Sequence, residues 1–246
     1  RNHRKPPARN RTEPVQPQIH AHQKRTHGTH AAPSRLTPQT SFPMDYVRIY
    51  TDNPSPKEIE RVAAVLRDGG IIVYPTDTLY AIGCDALNVR AVERICRLKN
   101  IDTRKALLSI VCPDLSMLSQ YAKVSNAHFK LMRRNLPGAF TFILPTSSQL
   151  PHIYKNRKTV GIRVPDNAIA RAITRELGNP LMSTSISPHH TEIEYLTDPE
   201  LIQEEFENTA DLFVDGGTGG HIPSTIIDCS GETPKITREG KGELIG

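Results

Sequence analysis

Gly70-Ile71-Ile72-Val73-Tyr74-Pro75-Thr76-Asp77-Thr78-Leu79-Tyr80-Ala81-Ile82-Gly83-Cys84-Asp85 sets the grammar of the whole chain. The run Ile71–Tyr74 is short, largely β-branched and unbroken by charge, which suits a strand covered on both faces. Pro75 stops it, and the loop that follows presents two hydroxyls and a carboxylate before apolar sequence resumes at Tyr80-Ala81-Ile82-Gly83. In α/β folds, loops at strand ends are where ligands meet polar groups. The same three side chains also suit a turn in which Asp and Thr satisfy the local backbone. The segment alone leaves both readings open.

Working outward, Tyr46–Tyr50 reads as a strand, and Ser55-Pro56-Lys57-Glu58 opens a helix with an N-cap, a proline at the first helical position and a capping-box glutamate. Ile59, Val62, Ala63 and Leu66 give that helix one apolar face, and Gly69-Gly70 ends it. Downstream, the pattern predicts a helix from Asn88 to Leu98, a strand at Leu107–Val111, helices near 114–121 and 125–135, and a strand at Phe140–Leu144. It goes on to a strand at Val160–Val164, a helix from Asn167 to Leu177 closed by Gly178, and a helix opened by Asp198-Pro199. Strands near 212–214, 225–228 and 235–237 complete the series. Strands mixed with helices, without an internal repeat, indicate one α/β domain with a mixed sheet over 44–246.

Residues 1–43 differ in texture. They hold seven prolines, five histidines and eight Lys or Arg against the single acid Glu13, a charge of +7. Such a segment buries too little apolar surface to offset the entropy of ordering, so we expect it to be disordered. The remaining 203 residues carry 23 bases and 25 acids, or −2. The domain must therefore handle anions with local clusters and not with bulk charge.

Cys84, Cys96, Cys112 and Cys229 lie far apart, with no pair at metal-ligand spacing, and read as reduced core thiols. No apolar stretch reaches the length of a membrane span, so the expected location is the cytoplasm and no membrane partner is implied. A Gly-x-x-x-x-Gly-Lys-Ser/Thr phosphate loop is absent from the sequence. The stretch Asp215-Gly216-Gly217-Thr218-Gly219-Gly220 reads as a flexible loop near a cavity rim. His189 and His190 are adjacent and lack a third ligand, so no metal site is expected.

Five ordered segments carry a resemblance. They are Gly70–Asp85, Leu136-Pro137-Gly138-Ala139-Phe140-Thr141-Phe142-Ile143-Leu144, Val160-Gly161-Ile162-Arg163-Val164-Pro165, Pro180-Leu181-Met182-Ser183-Thr184-Ser185, and Pro223-Ser224-Thr225-Ile226-Ile227-Asp228 followed by Arg238-Glu239-Gly240. From Met44 to its end the chain resembles the YrdC/YciO family of threonylcarbamoyl-AMP synthase-like proteins, and within it the YciO branch. The resemblance implies a single domain in which a twisted sheet of parallel and antiparallel strands, with helices, curls around a concave, positively lined cavity. It implies ATP with Mg²⁺, L-threonine and bicarbonate as ligands, and an activity in which the carbamate of threonine attacks the α-phosphate of ATP. Pyrophosphate leaves, and the threonylcarbamoyl-AMP serves modification of an adenosine in tRNA.

By the same resemblance, Thr76 and Thr78 hold threonine, and Lys99 and Arg163 face the triphosphate or the substrate carboxylate. Ser183 and Ser185 donate to the phosphates, Ser224 and Thr225 lie near the nucleotide, and Arg238 closes the cavity. The residues themselves allow plainer readings: Lys99 complements the dipole at a helix end, and Ser183, Ser185 and Ser187 cap or bridge a turn. Arg163 is harder to dismiss, because an arginine inside a buried-looking strand needs a partner or a ligand.

Two positions depart from the family synthases. A Lys-x-Arg pair is replaced by Lys99-Asn100-Ile101, and a Ser-x-Asn pair by Ser185-Ile186-Ser187. The first removes a permanent charge and the second a two-sided hydrogen-bonding group, with Arg104 and Lys105 nearby to supply charge. The competing expectation is a YciO-type protein that binds double-stranded RNA or tRNA with weak or no synthase activity, using clusters such as Lys130, Arg133 and Arg134. A third is a relic that binds nucleotide without turnover.

Overall fold

The computed structural model describes residues 44–103, 105–156, 158–186 and 192–246. The disorder expected for 1–43, Arg104, Ser187 and the pair His189–His190 all fall outside the described residues. The strands are β1 (Asp45–Arg48), β2 (Ile72–Tyr74), β3 (Ala81–Asp85), β4 (Ser109–Val111), β5 (Phe140–Pro145), β6 (Thr159–Arg163), β7 (Leu181–Ser185), β8 (Leu212–Asp215), β9 (Thr225–Asp228) and β10 (Lys235–Arg238). They form one sheet in the order β1-β8-β2-β3-β7-β4-β6-β5-β9-β10. Pairs β1–β8, β2–β8, β4–β6 and β5–β9 are parallel; β2–β3, β3–β7, β4–β7, β5–β6 and β9–β10 are antiparallel. The architecture is thus the mixed α/β sheet expected from the sequence.

The unbroken apolar run Ile72–Tyr74 becomes a central strand because both of its faces are covered. Helices α1 (Pro56–Arg67) and α6 (Ala168–Leu177) pack on each other and on the face carrying Ile72, Tyr74, Leu181 and Val214. The opposite face, with Val73, Ile82, Ile110 and Phe142, forms the larger core together with residues of α2 (Val89–Leu98) and α4 (Asn126–Asn135). All four cysteines are free and buried, and burial pushes every one of these thiols up. No helix among the described residues is long and apolar enough to cross a membrane.

Three local expectations change. Ser55 occupies the N-cap of α1 but makes no side-chain capping bond, and Glu58 lies 3.6 Å from Arg61, so the capping box does not form. Ser183 and Ser185 do not bridge a turn: they sit on β7, in the middle of the sheet between β3 and β4. The glycine stretch is held against the Thr76–Tyr80 loop. Gly220 N donates to Thr78 O at 2.9 Å, Gly217 N to Asp215 Oδ1 at 2.8 Å, and a Cβ on Gly216 would lie 2.5 Å from Pro75. Close approach, together with the positive φ of 88° at Gly217, explains those glycines better than flexibility does.

Candidate active site

The loop after β2 is pinned by its own hydroxyls. Thr76 Oγ1 donates to Leu79 O at 2.6 Å and accepts from Thr78 N at 3.0 Å. With that proton committed, the 3.0 Å contact between the two threonine hydroxyls runs from Thr78 to Thr76. Thr78 Oγ1 in turn accepts from Arg163 Nη1 at 3.0 Å. The turn reading holds for Thr76, which fixes the loop from behind, while Thr78 faces a cavity.

Arg163 closes β6, in register with Val111, and its side chain is 13% exposed. It forms a salt bridge with Asp77, itself 7% exposed, whose other oxygen accepts from Asp166 N at 3.0 Å. This is the partner a buried guanidinium requires. Arg163 Nε is buried and has no hydrogen-bond partner among the described residues. Lys241 Nζ donates to Asp77 O at 2.6 Å, so the segment after β10 also grips this loop.

The cavity encloses about 290 Å³ at the ends of β3, β4 and β7. Thr78, Arg163, Ser183, Ser185, Ser224 and Arg238 all line it, joined by Ser109 and Thr141. Arg238 Nη2 donates to Ser224 O at 2.8 Å and to Ser224 Oγ at 3.3 Å, and Nε donates to the same carbonyl at 3.2 Å. Ser224 Oγ lies 2.8 Å from Thr141 Oγ1. Burial, followed by the positive charge of Arg163, holds Arg238 below its usual range. The Arg163 charge thus reaches Arg238 across a hydroxyl-lined space, an arrangement suited to an anionic ligand. Leu79, Leu107, Met182 and Ile226 supply an apolar wall beside it.

Other expected residues lie elsewhere. Thr225 is buried, donating to Gly242 O at 2.6 Å and accepting from Gly240 N at 3.1 Å, so it anchors the C-terminal segment. Lys99 caps the end of α2, half-buried, and does not line the cavity; burial lowers its pKa, and Glu205 opposes that shift. Lys105 is exposed and also absent from the lining. Ile101, by contrast, is on the cavity wall. Sequence reasoning missed Ser109 and Thr141; the available signal was a hydroxyl inside each of two otherwise apolar strands. No group of three or more His, Cys, Asp or Glu among the described residues is placed to hold a metal, and the cavity donors are cationic or hydroxylic. Such a donor set fits Mg²⁺ arriving on phosphate oxygens, not in a protein cage.

A family model for Sua5, YciO and YrdC proteins, described as "Telomere recombination", matches residues 64–240. YciO of Escherichia coli K12 is 41% identical over 198 residues, which cover 80% of this chain and 95% of that protein. Its crystal structure superimposes with a TM-score of 0.74, covering 81% of this chain and 97% of that one. The threonylcarbamoyl-AMP synthase of Bacillus subtilis is 31% identical over 191 residues, 74% of this chain and 53% of the synthase. Pyrococcus abyssi Sua5, solved in complex with L-threonine, gives a TM-score of 0.70 at 28% identity, covering 80% of this chain and 57% of that chain.

Proposed function

Because the chain belongs to the Sua5/YciO/YrdC family, we propose that it makes L-threonylcarbamoyl-AMP from ATP, L-threonine and bicarbonate, in the cytoplasm, for modification of an adenosine in tRNA. The observation that carries this reading is the convergence of Arg163 and Arg238 on one hydroxyl-lined cavity, with Thr78 on its wall bonded to Arg163 and braced from behind by Thr76. The P. abyssi relative solved with L-threonine supports the amino-acid half.

In the proposed reaction, threonine's amine and bicarbonate form a carbamate with loss of water. A carbamate oxygen then attacks the α-phosphorus of ATP; the bond from that phosphorus to the bridging oxygen breaks, and pyrophosphate leaves with the electron pair. Negative charge concentrates on phosphate oxygens, so the protein's contribution is placed cations and donors and not a covalent nucleophile. Arg163 and Arg238 supply the permanent charge, and Ser183, Ser185 and Ser224 supply hydroxyl donors. Mg²⁺, held by the nucleotide's phosphate oxygens beside the Ser183 and Ser185 hydroxyls, would supply further neutralisation of phosphate charge. Thr78 meets the amino acid, with Thr76 setting its hydroxyl.

Ile101 on the wall, where the family resemblance implies an arginine in the synthases, predicts weaker nucleotide binding than an arginine there would give. The test is product detection: with ¹³C-bicarbonate, ATP, Mg²⁺ and L-threonine, mass spectrometry should find labelled threonylcarbamoyl-AMP, lost in Arg163→Ala. An unlabelled or absent product from the wild-type chain would overturn the reading.

A further inference from the structure

We infer that Tyr74 is a positioning residue that holds the Ser183 hydroxyl so that its proton points into the cavity. Tyr74 ends β2 and is fully buried, yet its phenol donates to Ser183 Oγ at 2.7 Å, on a strand two places away in the sheet. The strand between them is β3, where Gly83 pairs with Ile72 on one side and with Ser183 on the other. A Cβ at Gly83 would lie 2.9 Å from Tyr74 Cε1 and 2.8 Å from Met182 O. The ring crosses the sheet through the space this glycine leaves open. Gly83 and Tyr74, nine residues apart in one motif, thus work as a single device aimed at Ser183.

A serine hydroxyl has one proton and two lone pairs. With one lone pair held by the phenol on the core side, Ser183 keeps its proton free to donate into the cavity it lines with Arg163 and Arg238. Burial pushes the Tyr74 phenol up to about 12, so it remains a proton donor throughout the neutral range. A serine without this neighbour could turn its lone pairs toward the cavity and repel an anion. The plainer explanation is a core tyrosine that satisfies its hydroxyl with the nearest oxygen. The two explanations differ in whether the phenol affects ligand binding through Ser183.

The inference rests on the phosphate-binding reading above, and one experiment separates their failures. Mg²⁺·ATP, pyrophosphate and L-threonine are titrated calorimetrically into the full chain carrying no change, Tyr74→Phe, Ser183→Ala, or both. One lost hydrogen bond corresponds to about a three- to tenfold loss of ATP and pyrophosphate affinity in either single variant. The double variant should be no weaker than Ser183→Ala, and threonine affinity should be unchanged. Wild-type affinity in Tyr74→Phe, losses that multiply in the double variant, or a Tyr74→Phe chain that does not fold would overturn the positioning role alone. A wild-type chain that binds neither phosphate ligand overturns both this inference and the nucleotide reading.

Discussion

Arg163 and Asp77 show what single residues contribute and how far the sequence reveals them. A permanent cation inside the strand Val160–Val164 is conspicuous, because it must be neutralised or liganded. Its neutraliser is not conspicuous: Asp77 lies 86 positions away, in a loop where a carboxylate looks like ordinary turn chemistry. Removing it leaves a largely buried guanidinium uncompensated, so Asp77→Ala should cost about 3–5 kcal/mol of stability, measurable by urea unfolding. Ile101 makes the opposite point. It stands on the cavity wall where a charge would be useful, so Ile101→Arg should tighten Mg²⁺·ATP binding about tenfold by calorimetry, one charge-assisted hydrogen bond's worth. Unchanged affinity would mean that position 101 does not reach the phosphates. Lys99 was legible as a candidate only through resemblance, and its place at the end of α2 leaves it off the cavity lining.

Elements were legible where local chemistry decides them. The helices α2 and α6 begin at Asn88 and Asn167, whose side chains accept from Ala91 N at 3.2 Å and Ala170 N at 2.9 Å, and Gly178 ends α6 with a φ of 77°. The Ser-Pro-x-Glu start of α1 looked equally well capped but carries no side-chain bond. Thermal unfolding should therefore find Asn167→Ala about 1 kcal/mol destabilising and Ser55→Ala close to neutral. Equal losses would contradict the distinction. The strand β7 was hidden because Ser183-Thr184-Ser185 reads as polar turn sequence. Only its neighbours, β3 and β4, make that segment a central strand whose hydroxyls end in a cavity. Strand order of this kind is set by long-range pairing, which no local pattern encodes.

At the scale of the molecule, five sequence segments more than 150 residues apart at their extremes meet around one space. The resemblance made that convergence legible, while the hydrogen-bond wiring from Arg163 through Thr78 to Thr76 was not. The same packing predicts the alkaline limit of the fold. Burial raises the four thiols above 9.0 and the phenols of Tyr74, Tyr80, Tyr121 and Tyr154 above 10.0, with Cys229 at about 11 and Tyr74 at about 12. These groups hold their protons more tightly folded than unfolded. Their contribution is complete below pH 9 and is lost as pH rises through the folded values, so stability should fall between pH 9 and 12. Denaturation midpoints that stay level across that window would contradict the burial. The central claim, that this cavity activates threonine's carbamate on ATP, is met most directly by the initial rate of pyrophosphate release from the full chain with ATP, Mg²⁺ and bicarbonate, with and without L-threonine. The account predicts release that depends on threonine; release that is absent, or the same without threonine, would contradict it.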